Sequence, residues 1–401
     1  MARIAIVGGG MGGASLALLL AQRTACDIVL IEQAALAADT LPDTPSYDAR
    51  STALALGSAE ILAAVGAWTT LAPLAAPIRH INVSHQGRFG AARLDAQDEG
   101  VAVLGFVAEN RHLGFALLKA LRETRVDVRA PMRVETLGRA GDGWALTLVD
   151  GSVLAADLLV VADGVQSAMR AVLGVAVQEH DYGATAIVCN VTPREPHRDV
   201  AFERFTVDGA VAILPLTGNR CAIVWSLPNA RAQALLAAPE PEFLALLSEA
   251  AGNRLGGFVK VGARSGYPLV KIVATEQAVP GAVLLGNAAH LLHPVAGQGF
   301  NLTLRDAAVL TATVADAEAA GEAVNELAVL LRYVAKRARD QQFTAGLSHG
   351  LPWVFTSKNT WLALARDLGL VAFDVAGPLK REFARQAMGI GVFTGGTSRA
   401  G

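Results

Sequence analysis

The chain has 401 residues, 52% of them hydrophobic and only 17% charged, with a formal net charge of −2. That length calls for two domains or one large two-lobed unit, whose core needs no disulfide or metal staple. The near-neutral balance, without a dominant basic stripe, argues against a nucleic-acid partner. A charged fraction below the usual ~25% fits a large buried core and equally a protein resting against a membrane.

Cys26, Cys189 and Cys221 are far apart, form no CxxC pair, and read as reduced, buried thiols of a cytosolic protein. Ile4 to Ala21 resembles a secretory leader in its apolar content, but the five glycines in it and the missing polar cleavage region argue against one. No stretch reaches ~20 apolar residues free of glycine clusters and charge, so no spanning helix is expected.

Ile4 to Val7 is a short β-branched run, as a buried parallel strand requires. Gly8 to Gly13 turns the chain, Ala14 to Arg23 favours helix, and Asp27 to Ile31 is a second strand closed by Glu32. Together they form a βαβ unit. A helix is predicted around Ser58 to Trp68. From Ile78 the pattern alternates as a strand does, with a turn at Gly87. Helix returns at Leu113 to Leu121. Trp144 to Leu148 and Val153 to Val161 read as strands around Asp150-Gly151-Ser152. Thr185 to Leu227 is strand-rich, and the chain beyond Gly281 becomes helical after an opening motif. There is no internal repeat and no low-complexity linker.

Three segments carry chemistry. Gly8-Gly9-Gly10-Met11-Gly12-Gly13 satisfies GxGxxG. Its glycines permit a tight turn, close approach to a pyrophosphate and close helix–strand packing. The strand before it, the helix after it and Glu32 about twenty residues on supply the confirming context for a dinucleotide site. NAD and FAD are not distinguished by this motif. Val160 to Arg170 is a strand ending at Asp163-Gly164, with a helix expected near Ser167. Such an Asp accepts hydrogen bonds from cofactor hydroxyls, or else simply closes a turn before a capped helix. Gly286 to Leu302, GNAAHLLHPVAGQGFNL, is a strand–loop–helix connection whose Gly297-Gln298-Gly299 turn leaves backbone amides to face a ligand.

Together these segments resemble the class A flavoprotein monooxygenases, the para-hydroxybenzoate hydroxylase family, over most of the chain. Within it the resemblance is to the ubiquinone-biosynthesis ring hydroxylases, of the kind that act on 2-polyprenyl-6-methoxyphenols. It is carried by Asp48-Ala49-Arg50, Ala201-Phe202-Glu203-Arg204-Phe205, Tyr267-Pro268-Leu269 and HPVAGQGFNL. The family's third-motif acid is replaced here by Asn287, a neutral hydrogen-bonding amide.

The resemblance implies an α/β fold in which a Rossmann-like FAD-binding domain (1–77, 101–178 and 276–345) is interleaved with a β-sheet substrate domain (78–100 and 179–275), followed by C-terminal helices (346–401). It implies FAD as cofactor, NAD(P)H as reductant, O2 as co-substrate, and a flavin C4a-hydroperoxide that hydroxylates a polyprenylated phenol. Gly8, Gly10, Met11, Gly12 and Gly13 would approach the pyrophosphate, with Glu32, beside Gln33, on the adenosine ribose. Arg50 would lie near the pyrophosphate or isoalloxazine, and Asn110 would give a polar contact at a helix start. Asp163 and Gly164, with Gly286 and Asn287, would hold the pyrophosphate and ribityl chain. Pro294, Gly297, Gln298, Gly299, Phe300 and Asn301 would line the isoalloxazine, where a helix beginning near Gly299 would stabilise the negative charge of reduced flavin.

His290 and His293 stand three apart, but no carboxylate or cysteine neighbours them in sequence, so a metal site is not expected. His293, with Pro294, either contacts substrate at the flavin edge or only shapes the loop. Tyr267 is either a substrate-pocket residue or a packed aromatic. Arg332, Lys336, Arg337 and Arg339, near Trp353, Phe355, Trp361, Leu362 and Phe373, form either a membrane-touching amphipathic surface or an ordinary helix with a solvated basic face. The expected location is cytoplasmic, at most peripheral on the inner membrane, alongside other ubiquinone-biosynthesis proteins. The alternatives are hydroxylation of another ring position or aromatic, and a non-catalytic flavin-binding scaffold.

Overall fold

The structure, a computed structural model, describes residues 1–36, 41, 50–87, 91–292, 298–356, 385–386 and 388–389, with no account of side chains at 347 and 349–356. The strands Arg3–Val7 and Asp27–Ile31 each bury four of their five residues. Runs buried on both faces pair in parallel at the centre of a sheet. Arg3–Val7 lies between Asp27–Ile31 and Leu158–Val161, with Ile6 opposite Leu30 and Val160. Leu158–Val161 in turn pairs with Ala282–Leu284. Asp127–Arg129 and Ala278–Val279 form the two edges of this six-stranded sheet.

The helix Met11–Arg23 buries Gly13 to Leu20 without a break, so it is apolar all round rather than amphipathic. It packs between the sheet and the helix Gln298–Ala320, in a core that includes Leu16, Leu19, Val160, Leu304 and Val314. On the opposite face of the sheet, Val7, Val29 and Val161 meet Leu146 and Leu154 of a three-stranded antiparallel layer.

Val153 to Val161 is not one strand. It divides at Asp157 into Val153–Ala156, in the antiparallel layer, and Leu158–Val161, in the parallel sheet. Asp157 makes the break by accepting the Arg3 amide on Oδ2 at 2.6 Å while its own amide donates to the Arg3 carbonyl at 2.9 Å. Its carboxylate caps the start of the interior strand Arg3–Val7 of one sheet where the chain leaves the other.

A nine-stranded sheet draws on His80–His85, Ala91–Asp95, four long strands between Val177 and Pro228, Phe258–Val261, Ser265–Ala274 and His290–Leu291. Side-chain alternation gives it two unlike faces. Ile187, Cys189, Ile213, Ile223 and Trp225 point outward into a core closed by Phe243 and Leu247. Ala186, Val188, Ala212 and Val224 point inward and line a cavity. All three cysteines are free and buried, with thiols pushed up to about 12, chiefly by burial.

Of the basic cluster, Arg332, Lys336 and Arg339 are exposed, as a solvated basic face requires, and Arg337 turns inward. Arg337 is 1% exposed and binds Asp306 and Asp340. Arg332 pairs with Glu322, and Lys336 lies 3.5 Å from Asp316. In the 30-residue helix Leu327–Thr356, Arg337 turns inward onto Asp306, a buried carboxylate of the helix Gln298–Ala320. Among the described residues, no helix is long and apolar enough to cross a membrane. Trp361, Leu362 and Phe373 lie outside the described residues, as do the side chains of Trp353 and Phe355.

Candidate active site

Three motifs far apart in sequence leave the carboxyl ends of three neighbouring strands. Gly8 follows Arg3–Val7, Ala162 follows Leu158–Val161, and Gly286 follows Ala282–Leu284 by two residues. Crevices at the carboxyl ends of parallel strands are where such sheets bind nucleotides.

The glycines are needed for contact. Gly8 has φ +110°, and a Cβ there would lie 2.3 Å from the Ala162 carbonyl oxygen, so the first and second motifs touch through backbone. A Cβ on Gly13 would lie 1.9 Å from the Gly8 carbonyl oxygen. A Cβ on Gly12 would meet Thr303 at 2.9 Å and one on Gly286 would meet the same side chain at 3.2 Å, so the first and third motifs meet at Thr303. Gly10 precedes the helix Met11–Arg23 with no side-chain cap, which leaves first-turn amides to a ligand.

These loops open on a cavity of about 1400 Å³, bounded on the other side by the inner face of the nine-stranded sheet. Gly10, Met11, Gly12, Arg50, Asn110, Gly164, Gly286, Asn287, Gln298, Gly299, Phe300, Asn301 and Tyr267 all line it. Gly8, Gly13, Glu32, Gln33 and Asp163 are not among the residues that line it. Glu32 accepts the Gly9 amide at 2.6 Å and the Ala34 amide at 2.8 Å. Asp163 accepts the Met169 amide on Oδ2 at 3.1 Å, while its buried Oδ1 has no partner among the described residues. Ser167 caps the short helix Ala168–Val172 by accepting the Arg170 amide at 2.9 Å. His293, Pro294 and Gly297 lie outside the described residues.

Several residues act through neighbours. Asn301, 1% exposed, accepts the Ala55 amide and donates to the Ala53 carbonyl, both at 2.8 Å, so its side chain splints the strand Ser51–Ala55 to the cavity helix. Asn110 opens the helix Asn110–Arg122 and accepts from the Thr52 hydroxyl at 2.7 Å. The Arg50 guanidinium lies over the Tyr267 ring, 4.8 Å from its centroid, and so joins two residues 217 positions apart.

Two buried charge clusters are absent from the sequence reading. Glu109 takes Arg111 and Arg220, each at 3.1 Å, and Asn190 at 3.2 Å. Burial raises its pKa, but these two arginines outweigh that and hold the carboxyl below its ordinary value. Asp306 is contacted by His290 Nε2 at 2.8 Å and accepts from Arg337 Nε at 2.5 Å, and Arg305 reaches Asp340 at 2.8 Å. Burial would again raise Asp306, and the His290 hydrogen bond with the Arg337 charge keeps it low. The available signal was Arg305-Asp306 within the Leu- and Ala-rich stretch Leu302 to Val314 of a helix, since such charges are rarely buried unless paired. Arg305 and Asp340 reach the cavity wall, so this network fixes one side of the site.

The residues fit a flavin dinucleotide. The uncapped helix start suits a pyrophosphate, the orphaned Asp163 oxygen suits a hydroxyl donor, and backbone lies where glycine alone permits close approach. A nucleotide crevice facing a large, mostly antiparallel sheet across a shared cavity defines a flavin-dependent monooxygenase of the para-hydroxybenzoate hydroxylase type. Solved structures agree on the fold. The probable FAD-dependent monooxygenase PqsL of Pseudomonas aeruginosa matches with TM-score 0.76 at 22% identity, covering 92% of this chain and 99% of that one. The p-nitrophenol 4-monooxygenase PnpA of Pseudomonas putida also gives 0.76, at 19% identity over 97% and 99%.

The FAD binding domain family model matches residues 1–344. The ubiquinone hydroxylase UbiL of Rhodospirillum rubrum is 38% identical over 97% of this chain and 90% of its own length. The 3-demethoxyubiquinol 3-hydroxylase of Escherichia coli is 33% identical over 96% and 98%. The chain belongs to the FAD-binding-domain family and, within it, to the ubiquinone-biosynthesis hydroxylases, as an FAD-dependent aromatic-ring monooxygenase.

Proposed function

We propose that the protein hydroxylates the ring of a polyprenylated phenol in ubiquinone biosynthesis, with NAD(P)H as reductant and O2 as co-substrate. The observation that carries this reading is the single cavity of about 1400 Å³, which joins the three glycine-containing loops to an apolar sheet face. That volume exceeds what drug-sized ligands usually need, about 300–1,000 Å³, as a flavin end and a prenylated ring together would require.

When bound, the flavin supplies two electrons from NAD(P)H to O2, so that one oxygen atom enters the ring and the other leaves as water. The chain's own work is positioning. Gly10, Met11 and Gly12 would take the pyrophosphate at the helix start, Glu32 and Gln33 the adenosine side, and Asp163, Gly164, Gly286 and Asn287 the ribityl side. Gln298 to Asn301 open a 23-residue helix whose dipole favours negative charge at the cavity. Arg50 and Tyr267 would border the ring, and the sheet face would exclude water and receive the prenyl chain. We further propose the partition 1–77, 101–178 and 276–345 for the flavin domain and 78–100 and 179–275 for the substrate domain. Peripheral access to a membrane-held substrate would rest on the C-terminal segment.

Purified protein tests this. Yellow colour, NAD(P)H oxidation stimulated by a polyprenylphenol, and a product heavier by one oxygen are the expected results. Persistent failure of NAD(P)H to reduce bound flavin, with active partner proteins present, would sink the enzyme reading.

A further inference from the structure

The strand Val200–Thr206 carries the Ala201-Phe202-Glu203-Arg204-Phe205 segment, with Glu203 at its middle. Register places Glu203 between Val83 and Ala212. The same row continues through Val224 to Val188 on one side and to Ala92 on the other. All six residues line the cavity, and Glu203 is the one charged member of the row. Arg204, next along the strand, is turned to the outer face and reaches the Ala251 carbonyl at 3.5 Å, and Arg254 stacks on Phe202 at 5.1 Å.

Among the described residues Glu203 has no hydrogen-bond or ion-pair partner. Its neighbours offer none. The strand His80–His85 adds His85 two residues along, whose Nδ1 is engaged by the Gln86 carbonyl at 2.9 Å. The helix Glu240–Ala251 contacts Arg204 through its last carbonyl. The helix Leu327–Thr356 brings Asp340, already held by Arg305 and Arg337. Burial alone pushes the Glu203 carboxyl up to about 7. A carboxylate in an apolar wall is costly unless a partner arrives, and a ligand in the cavity that Glu203 lines is placed to supply one. The matching group is a weakly acidic O–H on an otherwise apolar molecule.

We propose that Glu203 is a catalytic residue that accepts the phenolic proton of the substrate during ring hydroxylation. The inference rests on the hydroxylase reading above. The phenolic O–H is donated to the Glu203 carboxylate. As the ring carbon ortho or para to that oxygen takes the outer OH of the two-electron-reduced O2, the O–O bond breaks, the remaining oxygen takes a proton from solvent and leaves as water, and the phenolic O–H bond breaks with its proton moving to Glu203. The phenolic oxygen becomes a carbonyl. The hydroxylated carbon then loses its own proton to water, and Glu203 returns the first proton to the carbonyl oxygen. Two hydroxyls and a carboxylate result, with electrons supplied by NAD(P)H as in the parent reaction. General-base catalysis of this kind contributes about 10²–10⁴-fold.

Proton release on binding gives a readout that needs no turnover. With 2-prenyl-6-methoxyphenol as probe, oxidised holoenzyme at pH 6 should release protons into an indicator dye, because the arriving O–H donor favours the ionised carboxyl. The methyl ether of the probe should bind without release, and Glu203→Gln should abolish it. In turnover, kcat/KM of the wild type should fall about tenfold per pH unit below about 7. Glu203→Gln should lie at least about 10²-fold lower without that limb, and Glu203→Asp should keep the limb. FAD absorbance reports whether each variant folds. If Glu203→Gln does not fold, equal release with the phenol and its methyl ether in the wild type overturns the proposal. So does a Glu203→Gln enzyme that retains rate and pH limb. Glu203-dependent proton release with no oxygenated product from any phenol would overturn the hydroxylase reading instead, leaving the contact intact.

Discussion

Arg337 Nε lies 2.5 Å from Asp306 Oδ1, and each side chain is 1% exposed. The pair joins two helices through their buried faces, one of which begins at the cavity. Breaking a buried pair leaves an uncompensated charge at a cost of about 3–5 kcal/mol, whereas replacing both partners by apolar residues is far milder. Arg337→Met should therefore lower the unfolding free energy by that amount and weaken FAD retention. The double variant Arg337→Met, Asp306→Leu should recover part of the loss. Chemical denaturation with flavin fluorescence checks both.

The same carboxylate predicts acid sensitivity. The folded value of Asp306 lies below its ordinary one. Its contribution to stability is then fully present above the unfolded carboxylate value, near 4, and is lost as pH falls through the folded value. Wild type should lose stability progressively below about pH 4, and Asp306→Asn should flatten that slope. Thermal unfolding across pH reads it.

Glu203 carries the opposite sign. Its carboxyl is raised from 4.5 to about 7 by burial, so the folded state disfavours the ionised form. The stability that this group preserves when protonated is complete below about 4.5 and is lost as pH rises to about 7. Glu203→Gln should raise the stability of ligand-free protein at pH 8 by roughly 1–3 kcal/mol and change little at pH 4. A catalytic group kept at the expense of stability is a common trade-off. An unchanged melting temperature at pH 8 would contradict the stated burial.

The glycine loop should be graded by what each added methyl meets. Gly8→Ala and Gly13→Ala drive Cβ into backbone oxygens at 2.3 and 1.9 Å, where nothing flexible can yield, and should abolish FAD binding. Gly12→Ala meets the Thr303 methyl at 2.9 Å, and a small rotamer change relieves it, so affinity should fall by no more than about tenfold, about 1.4 kcal/mol. Flavin titration of the three purified variants distinguishes these outcomes.

Asp163→Asn keeps an acceptor for the Met169 amide but removes the charge on the side of the orphaned Oδ1. If that oxygen takes a cofactor hydroxyl, the charge-assisted bond weakens by about 1–2 kcal/mol, roughly tenfold in FAD affinity, with the fold unchanged. Equal FAD affinity in the variant would remove Asp163 from the cofactor contacts.

The amino-acid sequence by itself determined the parts that depend on neighbours in the chain. Gly8 to Gly13 between a β-branched run and a helix former, the Asp163-Gly164 strand end, and the Gly286 to Leu302 connection are legible because hydrophobic period and turn chemistry act over a few residues. Tertiary structure alone decided the rest. Val153 to Val161 reads as one strand until Asp157 must serve Arg3 in another sheet. Arg337 reads as surface charge until a helix beginning at Leu327 turns it toward Asp306. In the sequence Glu203 and Arg204 are adjacent charges with nothing to separate their roles, and parallel pairing with Val83, 120 residues earlier, sets which of the two faces the cavity. A one-residue slip in that register would exchange Glu203 for Arg204 in the wall, and only packing of the whole sheet prevents it.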